Sequence, residues 1–338
     1  MTVLGDGVDA LARESGFSGV VSVDRGGVPV FAEAYSLADR RHHVANTLET
    51  RFGIVSGTKG LTALTVVSLI EHGALSLSTT ARSVLGRDLP LIDQRVTVEH
   101  LLGHRSGIGD YFDEDAGGEI TDYQLTVPAH ELSTTEAYLP VLDGYPAKFP
   151  PGERFSYCNS GYVVLALIAE RVAGRPFHEL VRDRVCAPAD MCGTEFLRSD
   201  ELPPGTATGY LPIEGVSRTN VFHLPVRGSG DGGIYSTADD ISALWRVLFA
   251  GRIVSRDWGA TMTRRHSDVP SKDRRYGLGF WLHASNDTVM PTGYDAGVSF
   301  RSVHDPQACL THTVLSNTSD DAWKISRYLD QNLVPESG

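Results

Sequence analysis

The residues of this chain best suited to chemistry are a serine and a lysine three positions apart, Ser56 and Lys59. An apolar segment at 60–70 follows them and predicts a buried helix that begins near Ser56. Since positions i and i+3 share a helix face, we expect the hydroxyl and the amine to meet. A desolvated lysine loses its proton far more readily than arginine does, so Lys59 is a candidate base for activating the serine. The chain has only four lysines among its 30 basic residues, which makes an amine at an apolar helix start notable.

A second candidate group, Tyr157 and Asn159, precedes a segment predicted to be a helix at 159–173. A tyrosinate beside Lys59 is a candidate general base, because a nearby cation favours the ionised phenol. The Asn159 amide is suited to holding Lys59 or to binding a substrate carbonyl. A purely structural interpretation stays open, with Tyr157 as a half-buried aromatic residue and Asn159 as a helix N-cap.

A third candidate group, at 291–297, lies between two predicted C-terminal strands. Thr292 and Gly293 are candidate substrate-binding residues, because glycine at a strand edge lets a substrate lie close against the backbone. The backbone N–H of Tyr294 is a candidate to form an oxyanion hole with the N–H of Ser56. A glycine-containing hairpin is an equally good local interpretation.

Periodicity predicts the elements that position these groups. The N-terminal part contains a helix at 5–15 and strands at 19–23 and 28–32, joined by a hairpin signal at 24–27. The middle contains predicted helices at 97–102, 159–173, 176–185 and 239–249, and a polar loop or lid at 107–133. The C-terminal part contains predicted strands at 276–282, 287–290, 298–303 and 311–315, and a closing helix at 320–333.

Strands at both ends of the chain predict an α+β fold with one antiparallel sheet built from both termini and flanked by helices. A mostly helical lobe would be inserted into it. We therefore expect one two-lobed catalytic domain over 1–338. Its α/β lobe would cover approximately 1–75 and 230–338, and its helical lobe approximately 76–229.

The three groups follow one another in the order S-x-x-K, Y-x-N and x-T-G, at positions 56, 157 and 291. In this order the chain resembles the serine β-lactamase and penicillin-binding-protein family, in its branch of class C β-lactamases, esterases and D-aminopeptidases. Longer similar segments are LLGHRSG at 101–107, PGERFSYCNSGY at 151–162 and GGIYSTADD at 232–240. The resemblance covers nearly the whole chain and implies the β-lactamase/transpeptidase-like fold.

The resemblance also implies a role for each residue. Ser56 would be the acylated nucleophile, and Lys59 and Tyr157 would exchange the proton as general base and acid. Asn159 would orient Lys59 or the substrate, and the N–H groups of Ser56 and Tyr294 would form the oxyanion hole. The implied enzyme is a serine hydrolase that needs no cofactor and no metal.

One departure concerns substrate choice. The family usually has Lys or His at the first position of the third motif, where this chain has Pro291. Proline offers no charge and no N–H to a substrate carboxylate, which favours an uncharged ester or amide and an esterase-type activity. Arg227 and Arg301 are candidate replacements for that cation. Two alternatives stay open: a β-lactamase or D-amino-acid peptidase, and a non-catalytic binding or scaffold protein that retains the fold.

Composition narrows the partners. A net charge of −12 and a pI near 5.4 argue against nucleic acid as a partner, and no apolar run approaches a membrane span. The resemblance implies a small-molecule ester, amide or β-lactam as the substrate. The absence of a signal peptide and of paired cysteines predicts a cytoplasmic protein with reduced thiols, whose oligomeric state stays open.

His100 and His104 are spaced as metal ligands on a helix, but a bracing role for His104 is favoured. The glycine-rich segment at 228–233 is interpreted as a turn near the cleft.

Overall fold

The computed structural model describes residues 3–118 and 120–333 of the chain, with elements bounded as follows. The helices are α1 (Val3–Ser15), α2 (Thr58–Glu71), α3 (Ala81–Leu85), α4 (Val98–Leu102), α5 (Leu139–Leu142), α6 (Asn159–Ala173), α7 (Phe177–Val181), α8 (Ala238–Phe249), α9 (Arg256–Thr263) and α10 (Ala322–Leu333). The strands are β1 (Gly19–Arg25), β2 (Val28–Tyr35), β3 (Leu37–Asp39), β4 (Val44–Ala45), β5 (Phe52–Gly53), β6 (Tyr210–Ile213), β7 (Val216–Thr219), β8 (Tyr235–Ser236), β9 (Ser267–Val269), β10 (Arg274–Tyr276), β11 (Trp281–His283), β12 (Thr292–Asp295), β13 (Val298–Asp305) and β14 (Leu310–Ser316).

Five strands form the central antiparallel sheet, in the order β12-β13-β14-β1-β2. The two ends of the chain meet in it, because β1 pairs with β14 from Gly19 opposite Ser316 to Arg25 opposite Leu310. Side chains alternate between its faces, so one face packs against α1 and α10 and the other against α2 and α8. The predicted α+β fold class, with a sheet from both termini flanked by helices, is confirmed.

Two buried helices bring the candidate residues together. In α2 every residue from Thr58 to Leu69 is buried, as expected for a helix that is apolar on all sides. In α6 the residues from Asn159 to Ala169 are buried as well, and the helix ends at Gly174, whose φ of 63° is left-handed. Since α2 and α6 pack against each other, the N-terminal ends of both helices lie in one place.

Part of the C-terminal prediction is wrong. The segment 276–282, predicted as one strand, is split into the ends of β10 and β11 by a turn in which Gly279 has a φ of 94°. No strand covers 287–290, where only Val289 forms isolated bridges, to Leu282 and His304. The segment expected to connect two strands contains β12, an edge strand of the central sheet that continues through a hairpin into β13. Glycines, which permit both turns and close packing, obscured the strand boundaries here.

Within the described residues, the helices are too short or too polar to cross a membrane. The predicted division into an α/β lobe and a helical lobe stays a prediction, as does the role of the 107–133 segment as a lid. That segment contains two short 3-10 turns, Glu114–Ala116 and Ala129–Glu131.

Candidate active site

Ser56 lies in a short 3-10 turn, Val55–Gly57, immediately before α2. Val55 has a φ of 44°, which is strained for a β-branched residue. A Cβ on Gly57 would lie 2.5 Å from the ring of Phe300, so the turn is packed tightly against the sheet. The serine is therefore held on a rigid corner at a helix N-terminus, where backbone N–H groups favour developing negative charge.

Lys59 is buried, with 2% of its surface exposed, and it has three partners. Its Nζ lies 2.9 Å from Ser56 Oγ and donates to Asn159 Oδ1 at 2.8 Å and to the backbone carbonyl of Asp231 at 2.7 Å. Burial lowers the pKa of Lys59 from its ordinary value, and the Asp231 carboxylate opposes part of this shift. Asn159 Oδ1 and the Asp231 carbonyl can only accept, so the two hydrogens of a neutral amine go to them. The nitrogen lone pair then faces the Ser56 hydroxyl.

Tyr157 lies beside the pair, with its ring centroid 5.0 Å from Lys59 Nζ. Burial raises the pKa of Tyr157 well above its ordinary value, Glu114 acts in the same direction, and a hydrogen bond with Ser56 acts in the opposite one. The structure therefore favours the protonated phenol over the predicted tyrosinate, because a buried phenolate loses its hydration. The two pKa shifts therefore favour a protonated Tyr157 phenol beside a neutral Lys59 amine.

Asn159 is the first residue of α6, and its amide is held from both ends. Its Oδ1 accepts from Lys59, and its Nδ2 donates to the carbonyl of Phe112 at 2.9 Å. The helix is capped instead by Asp110, whose carboxylate accepts from the N–H groups of Asn159 and Ser160, each at 2.8 Å. Burial raises the pKa of Asp110 to about 6. The N-cap interpretation of Asn159 is therefore wrong, and its side-chain oxygen accepts a hydrogen bond from Lys59 instead.

Sequence reasoning missed Asp231, whose carbonyl oxygen binds Lys59. The residue belongs to the glycine-rich segment 228–233, which was interpreted only as a turn. Thr62 Oγ1 donates to the carbonyl of Gly230 at 2.7 Å, and a Cβ on Gly230 would lie 2.1 Å from the carbonyl oxygen of Tyr162. The glycine lets the backbone run directly against α2 and α6. The high density of glycines at 228–233 was the sequence signal that could have identified this contact, because glycines also mark places where the backbone packs closely against another element.

The third candidate group lies in β12, next to the serine turn. Thr292 and Tyr294 line the same cleft as Ser56. A Cβ on Gly293 would lie 2.2 Å from the carbonyl oxygen of Ile54 and 3.1 Å from the backbone nitrogen of Ser56, so only glycine fits where the strand passes the turn. The oxyanion hole formed by Ser56 and Tyr294 stays a prediction, which this close approach supports.

The two histidines with metal-ligand spacing bond to the backbone. His104 follows α4, and its Nδ1 accepts from the N–H of Cys158 at 3.0 Å, while its buried ring lies 4.3 Å from that of Tyr157. His100 Nδ1 accepts from the N–H of Thr97 at 3.3 Å and completes a capping box on α4. His104 therefore braces the Tyr157 segment. Residues 3–118 and 120–333 contain no group of three or more His, Cys, Asp or Glu residues arranged to hold a metal ion.

The site borders a cleft of about 620 Å³. One set of lining residues comes from the loop that follows α4 and is rich in carboxylates. It comprises Asp110, Asp113, Glu114 and Asp122, with Tyr111, Phe112 and Tyr123. Another set comes from the segment around β10 and β11 and comprises Lys272, Arg274 and Trp281. The cleft therefore combines acidic and basic groups from separate parts of the chain.

The two arginines considered as replacement cations lie elsewhere. Arg301 forms a salt bridge with Asp330 at 2.7 Å, and Arg227 Nε donates to the carbonyl of Phe196 at 3.0 Å. The cleft is lined instead by Lys272 and Arg274, which sequence reasoning missed. No local pattern distinguished them, because they belong to an ordinary charged run at 272–275.

Comparison with known proteins gives matches that extend over most of the chain. The family described as Beta-lactamase matches residues 8–331. "Putative penicillin-binding protein PbpX" of Bacillus subtilis (strain 168) is 31% identical over 286 residues, which cover 82% of this chain and 66% of that protein. Esterase EstB of Burkholderia gladioli is 26% identical over 329 residues, which cover 84% of this chain and 80% of that protein.

A solved structure matches the fold closely. The penicillin binding protein from Bacillus halodurans has a TM-score of 0.91 and 33% sequence identity, over 96% of this chain and 100% of that one. The chain spans 66%, 56% and 49% of the length of three of the curated relatives that it matches.

Proposed function

The chain belongs to the β-lactamase family of serine hydrolases, and from this premise we propose that it hydrolyses an ester or amide through an acyl-enzyme on Ser56. The observation that carries the proposal is the arrangement of Lys59. Two of its three partners can only accept hydrogen bonds, and the third is the Ser56 hydroxyl. An amine held in this way is a base directed at the nucleophile. The proposed chemistry uses no metal ion and no cofactor.

In the acylation step, Ser56 Oγ attacks the carbonyl carbon of the substrate while its proton moves to Lys59 Nζ. The N–H groups of Ser56 and Tyr294 stabilise the charge on the carbonyl oxygen. Collapse of the tetrahedral intermediate breaks the bond to the leaving group. The proton taken by Lys59 passes through the Tyr157 phenol to that group, so the enzyme returns to its original charge.

In the deacylation step, water attacks the carbonyl carbon of acyl-Ser56. Its proton follows the same groups in the opposite direction, back to Ser56 Oγ, and the carboxylic acid leaves. Asn159 keeps Lys59 in place throughout, while Thr292 and Gly293 bind the substrate along the edge of β12.

An esterase-type activity is proposed over a β-lactamase because of Pro291. The residue stands directly before β12, at the first position of the third motif, and it provides neither a charge nor an N–H group. The similarity to esterase EstB, which spans most of both chains, supports this choice.

A second candidate, a β-lactamase or D-amino-acid peptidase, is favoured by one observation. Lys272 and Arg274 line the cleft and supply positive charge that Pro291 does not. The similarity to PbpX is consistent with it. The remaining alternative, a non-catalytic binding protein, has only Pro291 in its favour, since Ser56, Lys59 and Tyr157 lie together.

The test is a turnover comparison of a p-nitrophenyl ester, the β-lactam nitrocefin and a D-alanyl anilide, with the wild-type protein and Ser56→Ala. We expect the ester to have the highest kcat/KM and Ser56→Ala to reduce it to background. Nitrocefin or anilide turnover equal to ester turnover would favour the second candidate. A protein that turns over none of the three and forms no covalent adduct would be a binding protein.

A further inference from the structure

We propose that Asp231 is a positioning residue for Lys59, whose carboxylate preserves the basicity of the buried amine and is itself fixed by the Tyr111 hydroxyl. The inference rests on the proposed function, because it takes Lys59 as the base that activates Ser56. Asp231 contacts this base through its main chain, since its carbonyl oxygen accepts from Lys59 Nζ at 2.7 Å. Its carboxylate therefore belongs to a residue that the amine already contacts.

The Asp231 carboxylate is buried and held by hydrogen-bond donors. The residue is 9% exposed, and its carboxylate accepts from the Tyr111 hydroxyl and from the backbone N–H of Gly232. Burial raises the pKa of Tyr111 well above its ordinary value, so the phenol keeps its proton and acts as the donor. Burial also raises the pKa of Asp231, while Lys59 and the Tyr111 bond act in the opposite direction. These contacts replace the water that an ionised carboxylate needs.

A carboxylate beside a buried amine changes how readily that amine accepts a proton. Burial lowers the pKa of Lys59, and Asp231 opposes this shift more strongly than Glu114 or Asp110 does. Without the Asp231 charge, Lys59 would stay neutral over a wider pH range but would be a weaker base. The carboxylate therefore keeps the amine basic enough to take the Ser56 proton.

Other titratable groups also face this pair from the surrounding elements. They are Asp110 and Glu114 of the loop after α4, His104, Tyr138, Tyr157, Cys158 and Asp295. The Asp110 carboxylate already caps α6, and Glu114 is exposed. Among the hydrogen-bond partners of Lys59 Nζ, Asp231 is the acidic residue. Its charge is therefore the one that the fold ties directly to the base.

Two neighbouring residues, Tyr111 and Phe112, link the two main acceptors of Lys59. The carbonyl of Phe112 accepts from Asn159 Nδ2 at 2.9 Å, and the Tyr111 hydroxyl donates to Asp231. Each acceptor of the amine is thus held by one of two consecutive residues of the same loop. Tyr111 positions Asp231 in the same way that Phe112 positions Asn159.

The experiment follows the protonation of Lys59 directly, by NMR of protein labelled with ¹³Cε-lysine. The chain has four lysines, and Lys59→Met identifies the Lys59 signal. We expect this signal to titrate at lower pH in D231N than in the wild type, because the amine loses the charge that opposes burial. D115N is the matched control, since it removes an exposed carboxylate from the same loop, and it should leave the titration unchanged.

Tyr111→Phe tests the hydroxyl that holds the carboxylate. Y111F should shift the Lys59 titration in the same direction as D231N but by less, because the carboxylate stays and loses one donor. In the D231N background Y111F should cause no further shift, because Tyr111 acts through the carboxylate. In p-nitrophenyl ester turnover, D231N should move the midpoint of kcat/KM to lower pH and reduce the high-pH plateau by about 10-fold.

A Lys59 signal that titrates at the same pH in D231N and the wild type would overturn the inference. A lower plateau of kcat/KM with an unchanged midpoint would also overturn it, because that result indicates a merely structural role. The other three lysine signals report whether each variant keeps the native fold. If D231N does not fold, Y111F decides, and an unchanged or higher titration of Lys59 would contradict the proposal.

The NMR titration separates this inference from the proposed function, because it needs no substrate. A lower titration of Lys59 in D231N supports the role of Asp231 even if the protein hydrolyses no ester. Equal titrations overturn that role even if Ser56 is acylated.

Discussion

Two of the four lysines of this protein lie at the same cleft in opposite environments, one beside Ser56 and one in the wall of the cleft. Lys59 is buried, and its three partners are Ser56, Asn159 and the Asp231 carbonyl. Lys272 is exposed, packs on Trp281 and has no salt-bridge partner in the described part of the chain. Burial lowers the pKa of Lys59 and so favours its neutral amine.

The difference shows how the surroundings can suit one side-chain type to two different functions. At Lys59 burial favours the neutral amine, and the two surrounding acceptors direct its lone pair at Ser56, which suits it to proton transfer. Lys272 lines the cleft itself, which places it to contact a substrate. We therefore expect substitutions at the first site to change the rates for all substrates together, and substitutions at the second to change the choice between them.

The largest effect is expected at Lys59. Lys59→Met should lower kcat/KM for 3-carboxyphenyl acetate and 3-carbamoylphenyl acetate, two esters that differ in charge, by about 10²–10⁴-fold, because the general base is lost, and should leave their ratio unchanged. Lys59→Arg is the matched control, since it keeps a cation that does not give up its proton, and it should be equally impaired. Steady-state kinetics checks both variants. An active Lys59→Arg would contradict a proton-accepting role.

A smaller loss is expected from Tyr157→Phe, which removes the donor while keeping the ring that stacks on Trp281. We expect kcat to fall by about 10²-fold for an alkyl ester, whose leaving group needs a proton, and by less for a nitrophenyl ester. Parallel assays with the two esters measure this dependence. Equal losses with both would show that Tyr157 does not protonate the leaving group.

A pH profile tests the environment of Lys59 without a substitution. Because burial lowers the pKa of Lys59, kcat/KM should rise with pH through a midpoint below the ordinary lysine value of 10.5. The midpoint belongs to the coupled Ser56, Lys59 and Tyr157 groups. Between the folded and unfolded pKa values the unfolded chain binds more protons, so the Lys59 contribution to the free energy of unfolding rises with pH there. The variant Lys272→Gln should keep the rise of kcat/KM with pH. If that rise were lost in Lys272→Gln, Lys59 would not be its origin.

The smallest effect is expected from salt. Raising the NaCl concentration from about 0.05 M to about 0.5 M should lower the wild-type kcat/KM for 3-carboxyphenyl acetate, relative to that for 3-carbamoylphenyl acetate, by about two- to fivefold, because salt screens the cations Lys272 and Arg274 that line the cleft. Turnover of the carbamoyl ester provides the correction for general salt effects. The ratio of kcat/KM values for the two esters, measured for the double variant K272Q/R274Q, should not change with the NaCl concentration. A salt response that persists in that variant would assign the effect to other charges.

Local sequence patterns predicted most of the fold. The hairpin at 24–27 is confirmed, with Gly26 and Gly27 at φ values of 61° and 79°. The long apolar helices and the strands at both chain ends are confirmed as well. The failures are local, at 276–282 and 287–290, where strand propensity competes with glycine turns and isolated bridges.

The site was predictable only where its contacts are local or carried by motifs. The i, i+3 rule brought Ser56 to Lys59, and the motif order brought Tyr157 and Asn159 to them. Asp231 and Lys272 reach the site through tertiary packing, for which neither has a periodic signal. The cytoplasmic location and the assigned catalytic roles stay predictions.

The central claim is that Ser56 is the residue acylated by substrate, and covalent labelling tests it most directly. The wild type and Ser56→Ala are treated with a fluorophosphonate and examined by intact mass and peptide mapping. We predict a single adduct on the wild type, on the peptide that contains Ser56, and none on Ser56→Ala. Equal labelling of both proteins would contradict the account.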